Sequence, residues 1–196
     1  DFGGEAGLSR ALTSVIRADL ERSGLFKMVD TTGTAMNEST APAYGDWRNR
    51  GADALAAGSL GAGGDGRMEA RFRLYDINKQ QPLAGVAYPT STATLRTAAH
   101  RIADVIYEKL IGEPGVFSTR IAYVVKNGPA RYELTIADAD GQNAQVALRS
   151  REPIISPVWS PDGARIAYVS FENKKPIIFV HTLATGQRTA VANFRG

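Results

Sequence analysis

Pro153–Val169, PIISPVWSPDGARIAYV, decides how this 196-residue chain folds, because its last five letters occur twice. Arg120–Val124 and Arg165–Val169 both read RIAYV, 45 positions apart. In the same frame Tyr132–Gln142, YELTIADADGQ, falls on Ile177–Gln187, IIFVHTLATGQ, so that Gly141 meets Gly186 and Gln142 meets Gln187. A period of about 45 residues made of short β-rich segments is the mark of a propeller blade. Ser160-Pro161-Asp162-Gly163 punctuates it: Pro161 presets φ near −65°, Asp162 tolerates the bridge region, and Gly163 lets the chain leave the turn. One strand, ISPVWS, enters that turn and another, RIAYVS, leaves it.

Working outward, strands are expected at about 120–125, 132–137, 144–149, 154–160, 165–171, 176–183 and 189–192. Turns fall at Asn127-Gly128-Pro129, Asp140-Gly141, Asp162-Gly163, Asn173-Lys174-Lys175 and Thr185-Gly186. Upstream the periodicity changes. Leu8, Leu12, Val15, Ile16 and Leu20 follow helical spacing, so about Glu5–Ser23 is an amphipathic helix with Arg10, Arg17, Asp19, Glu21 and Arg22 facing water and Gly24 as its stop. Leu25–Val29 reads as a short strand, Asp46 as the cap of a helical turn, and Ala52–Leu60 as a strand of small residues. Thr94 caps a second long helix, Leu95–Ile111, with one apolar stripe; Gly112 ends it and Pro114 bars its continuation. The chain opens directly on a helix, from which a strand is expected upstream of Asp1.

Gly61–Gly66, GAGGDG, matches the G-x-G-x-x-G pattern of a dinucleotide site, which requires a helix to follow. Instead Met68, Ala70, Phe72 and Leu74 alternate with Glu69, Arg71 and Arg73, a strand, so the glycines read as a hairpin turn. A third strand spans Pro82–Tyr88. The whole is α+β: residues 1–113 form an N-terminal α/β domain, helices on a small mixed sheet, and residues 117–196 begin a β-propeller of one and a half to two blades, with Glu113-Pro114-Gly115 as the boundary.

Composition bounds the function classes. No apolar run approaches the ~20 residues of a membrane helix, so direct membrane insertion is not expected. Zero cysteines removes disulfides, thiolate metal sites and cysteine nucleophiles. No signal peptide is present, which fits a cytoplasmic chain, a processed one or a piece of a longer one. The net charge of +3 comes from 23 basic and 20 acidic residues interspersed along the chain, so a solvated, slightly basic surface is favoured over nucleic-acid binding.

RADLERSG at Arg17–Gly24, then LFKMVD, RIAYVV, ADADGQN and PVWSPDGARIAYVSFE, in one order through nearly the whole chain, resemble the TolB family of periplasmic proteins in the Tol-Pal envelope system of Gram-negative bacteria. RADLxxSGxF is the most specific of these; SPDG turns also occur in the propellers of peptidases, and a peptidase regulatory propeller is the alternative reading. The resemblance implies an α/β domain before a six-bladed propeller, a periplasmic location, and a non-catalytic scaffold. It further implies that the propeller binds the lipoprotein Pal and that an N-terminal segment, absent here, binds TolA, supporting envelope integrity during constriction at cell division. No partner-binding residue is carried over, because the family's contacts lie outside this stretch.

The residues themselves point to no catalytic, cofactor or metal site. His100 sits on the second long helix with no obvious partner and reads as a surface or half-buried residue. His181 lies in a strand, and its counterpart one period earlier is Ile136, which suggests packing. Neither belongs to an H-E-x-x-H pair. Asp138–Asn143, DADGQN, resembles the start of a calcium loop, but the closing glutamate is replaced by Arg149, so a tight turn is favoured. No G-x-S-x-G elbow occurs. Trp159, Tyr123, Tyr168 and Phe179 read as inter-blade packing, and Trp159→Ala would then cost about 3–5 kcal/mol.

The repeat also has a phase. PVWSPDG precedes the second RIAYV, whereas EPGVFST, without such a turn or inner strand, precedes the first. The first blade is therefore expected to hold three strands of its own and to be completed by a C-terminal strand not in this chain. The first complete blade begins at about Ile154. An isolated chain with that seam is expected to self-associate through the open propeller edge.

Overall fold

The computed structural model describes residues 2–34, 36–63 and 67–193, and the chain divides into two compact units, Asp1–Ser118 and Thr119–Gly196.

The first unit runs β1 (Gly3–Gly4), α1 (Ala6–Arg22), α2 (Tyr44–Asn49), β2 (Ala54–Ala62), β3 (Met68–Asp76), β4 (Gln81–Thr90) and α3 (Leu95–Ile111). Its sheet has the order β1-β2-β3-β4, with β1 parallel to β2 and the other pairs antiparallel. The alternation read in β3 sets the layers: Ala70, Phe72 and Leu74 enter one apolar cluster with Leu60 of β2, Leu12, Ile16 and Leu20 of α1, and Leu95, Ala99, Ile102, Ala103 and Ile106 of α3. Each large aliphatic or aromatic side chain so buried contributes about 1.5–3 kcal/mol. Leu55, of opposite parity to Leu60, turns to the other face of the sheet and joins Trp47, Ala52 and Ile77 in a second cluster.

Four local expectations change. The chain does not open on a helix: Gly3 and Gly4 pair in parallel with Ser59 and Leu60. Only glycine fits at Gly4, where φ is 113° and a Cβ would collide with the Leu60 carbonyl. Leu25–Val29 is not a strand. Phe26 and Met28 cover the first cluster and Val29 the second, so the apolar side chains of the segment are satisfied by packing, without a strand ladder. Asp46 is not the cap of α2, which starts at Tyr44 after Ala43; it lies in the first turn, where its charge complements the helix dipole. Thr94 does hold the N-cap position of α3, but its hydroxyl accepts from Ser91 N at 2.9 Å and makes no capping bond.

Of the Gly61–Gly66 segment, residues 64–66 lie outside the described residues. On either side β2 and β3 pair antiparallel out to Ala62 opposite Met68, and Gly63 N donates to Arg67 O. A strand follows the glycines, and the dinucleotide geometry is absent from β2 and β3.

After Gly112 ends α3 at φ 89°, α3 still holds the chain that follows it. Asp104 accepts from Phe117 N at 2.7 Å and from Ser118 N at 3.1 Å. Phe117 meets Tyr107 edge to face at 5.6 Å between centroids and enters the first cluster. Gly115 crosses directly over Asp104, where a Cβ has no room.

The second unit contains β5 (Arg120–Lys126), β6 (Tyr132–Asp138), β7 (Gln145–Ser150), β8 (Ile154–Trp159), β9 (Arg165–Ser170), β10 (Ile177–Thr182) and β11 (Arg188–Asn193). They form a three-stranded antiparallel sheet, β5-β6-β7, and a four-stranded one, β11-β10-β9-β8, both open. The two occurrences of RIAYV open β5 and β9, and only β9 has a strand before it in its own sheet. The expected phase is therefore seen: three strands first, then four starting at Ile154. Leu134, Ile154, Ile166 and Tyr168 make the core of this unit.

Candidate functional site

In the second unit the punctuating turn is held by its own side chains. Asp162 Oδ1 accepts from the Ser160 hydroxyl and, at 3.0 Å, from Ala164 N, while Ser160 Oγ accepts from Arg165 N at 3.0 Å. The backbone closes it through Gly163 N to Ser160 O and Ser160 N to Arg165 O, both 2.9 Å, with Gly163 at φ 65°. The hydrogen bonds from Ser160 and Ala164 hold the Asp162 carboxyl below its ordinary range. Arg120, from the neighbouring sheet, closes over the turn. Its Nη2 donates to Gly163 O at 2.8 Å and its guanidinium lies 4.8 Å from the centre of the Trp159 ring. Trp159 is thus half-buried, packed against the unit's core on one side and covered by a cation on the other. Its truncation removes less buried area than the full-core reading assumed.

Tyr168 is the buried aromatic of the four-stranded sheet. Its ring stacks on Phe179 at 6.1 Å, and its hydroxyl accepts from Arg188 Nε at 2.6 Å. Arg188 also lies 4.4 Å over Phe179 and pairs with Glu172 at 2.6 Å. Burial, opposed by Arg188, pushes the Tyr168 phenol above its ordinary value. A phenol kept neutral under a guanidinium is a packing device, and the four aromatics singled out from sequence divide accordingly: Tyr168 is buried, while Phe179, Trp159 and Tyr123 are half-buried.

His181 is buried, as a packing position should be, but its counterpart is not Ile136. His181 pairs with Ile166, and Ile121 pairs with Ala137, so Ala137 occupies the equivalent place. The β9–β10 connection has six residues between paired positions 170 and 177, the β5–β6 connection seven between the equivalent positions 125 and 133, and the missing residue shifts β10 by one. Burial, and then Arg188, hold the His181 pKa below 6.5.

Asp138–Asn143 forms the tight turn joining β6 to β7. Gly141 N donates to Asp138 O at 2.8 Å, Gln142 N to Asp140 Oδ1 at 3.0 Å, and Asn143 Nδ2 to Asp138 Oδ2 at 2.7 Å. At the other end of the same sheet Asn127–Glu133 and Arg149–Arg151 border a shallow concavity, where Arg149 pairs with Glu133 at 3.0 Å and Lys126 Nζ lies 5.7 Å over Tyr132.

In the first unit, sequence reasoning missed one pair. Asp19 does not face water and His100 is not a surface residue: both are buried, with His100 Nδ1 2.6 Å from Asp19 Oδ2. Arg22 Nη1 donates to the other oxygen, Asp19 Oδ1, at 3.1 Å. The signal was available on α1, where Leu12, Ile16, Asp19 and Leu20 sit at i, i+4, i+7 and i+8, which puts Asp19 on the buried stripe. On α3 the small Ala99 and Ala103 flank His100 and let α1 approach. The pair locks two helices together, a structural task.

The comparisons with known proteins agree over both units. Residues 1–83 match the model of the TolB amino-terminal domain, and residues 107–196 that of the TolB beta propeller domain. Among curated proteins, the Tol-Pal system protein TolB of Dechloromonas aromatica (strain RCB) is 63% identical over 196 residues, all of this chain and 46% of that protein. The Tol-Pal system protein TolB of Bordetella pertussis (strain Tohama I / ATCC BAA-589 / NCTC 13251) is 58% identical, again over all of this chain and 44% of that protein. The crystal structure of TolB from Acinetobacter baumannii superposes with a TM-score of 0.88 at 39% identity, covering 100% of this chain and 49% of that one. The chain thus spans about half the length of the relatives it matches.

Proposed function

The chain belongs to the TolB family, and from that premise we propose that it supplies the amino-terminal domain and opening propeller strands of a non-catalytic periplasmic scaffold of the Tol-Pal system. In this reading the propeller binds the lipoprotein Pal, a segment preceding the first unit binds TolA, and the protein supports outer-membrane integrity and envelope constriction during division. The observation that carries it is the match of two TolB family models, in order, to the two units. The titratable groups described above take part in packing, turns and helix–helix contact. No helix among the described residues is long and apolar enough to cross a membrane.

The test is retention on immobilised Pal. The longer protein, carrying all its repeats, is expected to be retained, and the same protein without the residues after Ser118 is expected to pass through. Equal retention of both forms, or of neither, would overturn the assignment of Pal binding to the propeller.

A further inference from the structure

The contact made by Arg120 is written into the repeat. Arg120 is the first residue of β5, and with one side chain it reads two features of the turn between β8 and β9: the Gly163 carbonyl, to which it donates at 2.8 Å, and the Trp159 face, 4.8 Å away. A guanidinium can do both, because its donors lie in a plane whose faces remain free for a ring; an ammonium cannot. The sequence RIAYV that places Arg120 recurs at Arg165, the first residue of β9. There the arginine has no ring over it among the described residues. Its side chain is 53% exposed, and its one ionic contact among the described residues is Asp162 of its own turn at 3.9 Å, the outer limit of an ion pair.

We propose that Arg165 is a docking point for a further aromatic-Ser-Pro-Asp-Gly turn, supplied by a repeat following β11, which it holds as Arg120 holds Trp159 and Gly163. Room in the chain for that occupant follows from the relatives, of which this chain covers only 46% and 44%. The geometry follows from the repeat itself, since successive repeats present the same residues to their neighbours. Arg120 and Arg165 are successive rungs of one ladder of inter-repeat contacts.

The test compares two chains. One is the 196-residue chain. The other extends it past Gly196 by a second copy of Ile154–Asn193, joined through a linker that restores the 45-residue period. In the shorter chain Arg120→Ala is expected to lower the urea midpoint of the second unit, and Arg165→Ala to leave it unchanged. In the extended chain Arg165→Ala lowers it by the same shift as Arg120→Ala, Arg165→Lys behaves like the alanine variant, and removing the copied tryptophan makes Arg165→Ala silent again. An Arg165→Ala effect of equal size in both chains, or none in either, overturns the proposal. Should the extended chain not fold, a fluorescein-labelled peptide of Pro153–Ala164 is titrated onto the 196-residue chain and read by anisotropy. A tenfold or greater loss of affinity on Arg165→Ala supports the docking point, whereas no binding, or equal binding to the variant, overturns it.

Discussion

His100 and Asp19 show what a single buried pair costs to disturb. Removing one partner leaves the other charged or polar group in an apolar setting, whereas replacing both is far milder. His100→Ala is therefore expected to cost about 3–5 kcal/mol, and the joint change Asp19→Leu with His100→Leu to recover most of it, as measured by urea denaturation followed by helical circular dichroism. Additive losses would show that the pair is not coupled. His181 carries a different prediction. Its pKa is held below 6.5 by burial first and Arg188 second, so below about pH 6.5 the unfolded chain takes up a proton that the folded one refuses. The corresponding stability is present above pH 6.5 and is lost as pH falls toward the folded value. The urea midpoint of the second unit should decline between pH 7 and pH 5, and His181→Leu should remove that part of the slope; an unchanged slope would discard the idea. At this scale the sequence was legible for His181, whose strand position implies burial, and not for His100, whose partner lies 81 residues away. The helical spacing of Asp19 could have indicated its burial, but not the residue it would meet.

Among elements, the seven strands of the second unit were readable almost to the residue, because each is bounded by a Gly, Asn or Asp turn and the second repeat checks the first. The first unit offered no such internal copy. Leu25–Val29 is short and apolar enough to read as a strand, yet the sheet ends at β1 and β4 without including it. The segment after α3 shows how such unpaired chain is held instead. Asp104 accepts two backbone hydrogens, and hydrogen bonds to a charged group contribute about 1.5–3 kcal/mol. Asp104→Ala should cost that much and speed hydrogen exchange at Phe117 and Ser118, while Asp104→Asn retains an acceptor and loses less. Unchanged exchange at both amides would show that Phe117 packing alone anchors the segment.

For the molecule as a whole, the clusters of the two units share no residue, so one two-state transition is not expected to describe unfolding. Each unit has its own reporter, Trp47 in the first and Trp159 in the second. Leu12→Ala should shift the transition seen by Trp47, and Ile166→Ala that seen by Trp159, each by about 2–5 kcal/mol, with the other tryptophan replaced by phenylalanine in each case. A common shift for both reporters would mean the units unfold as one.

The one-residue shortening of the connection between β9 and β10 has a practical consequence for anyone who would recombine these repeats. Along a strand, adjacent positions look in opposite directions, so a graft cut on the 45-residue spacing would carry β10 one step out of phase and send its inward side chains outward. His181 would then take the half-buried place of Ile136, and Thr182 the buried place of Ala137. Chimeras joined inside β9, upstream of that connection, keep their faces; those joined inside β10 must count 44. The arithmetic of the letters and the arithmetic of the ladder differ by one, and protein engineering here has to follow the ladder.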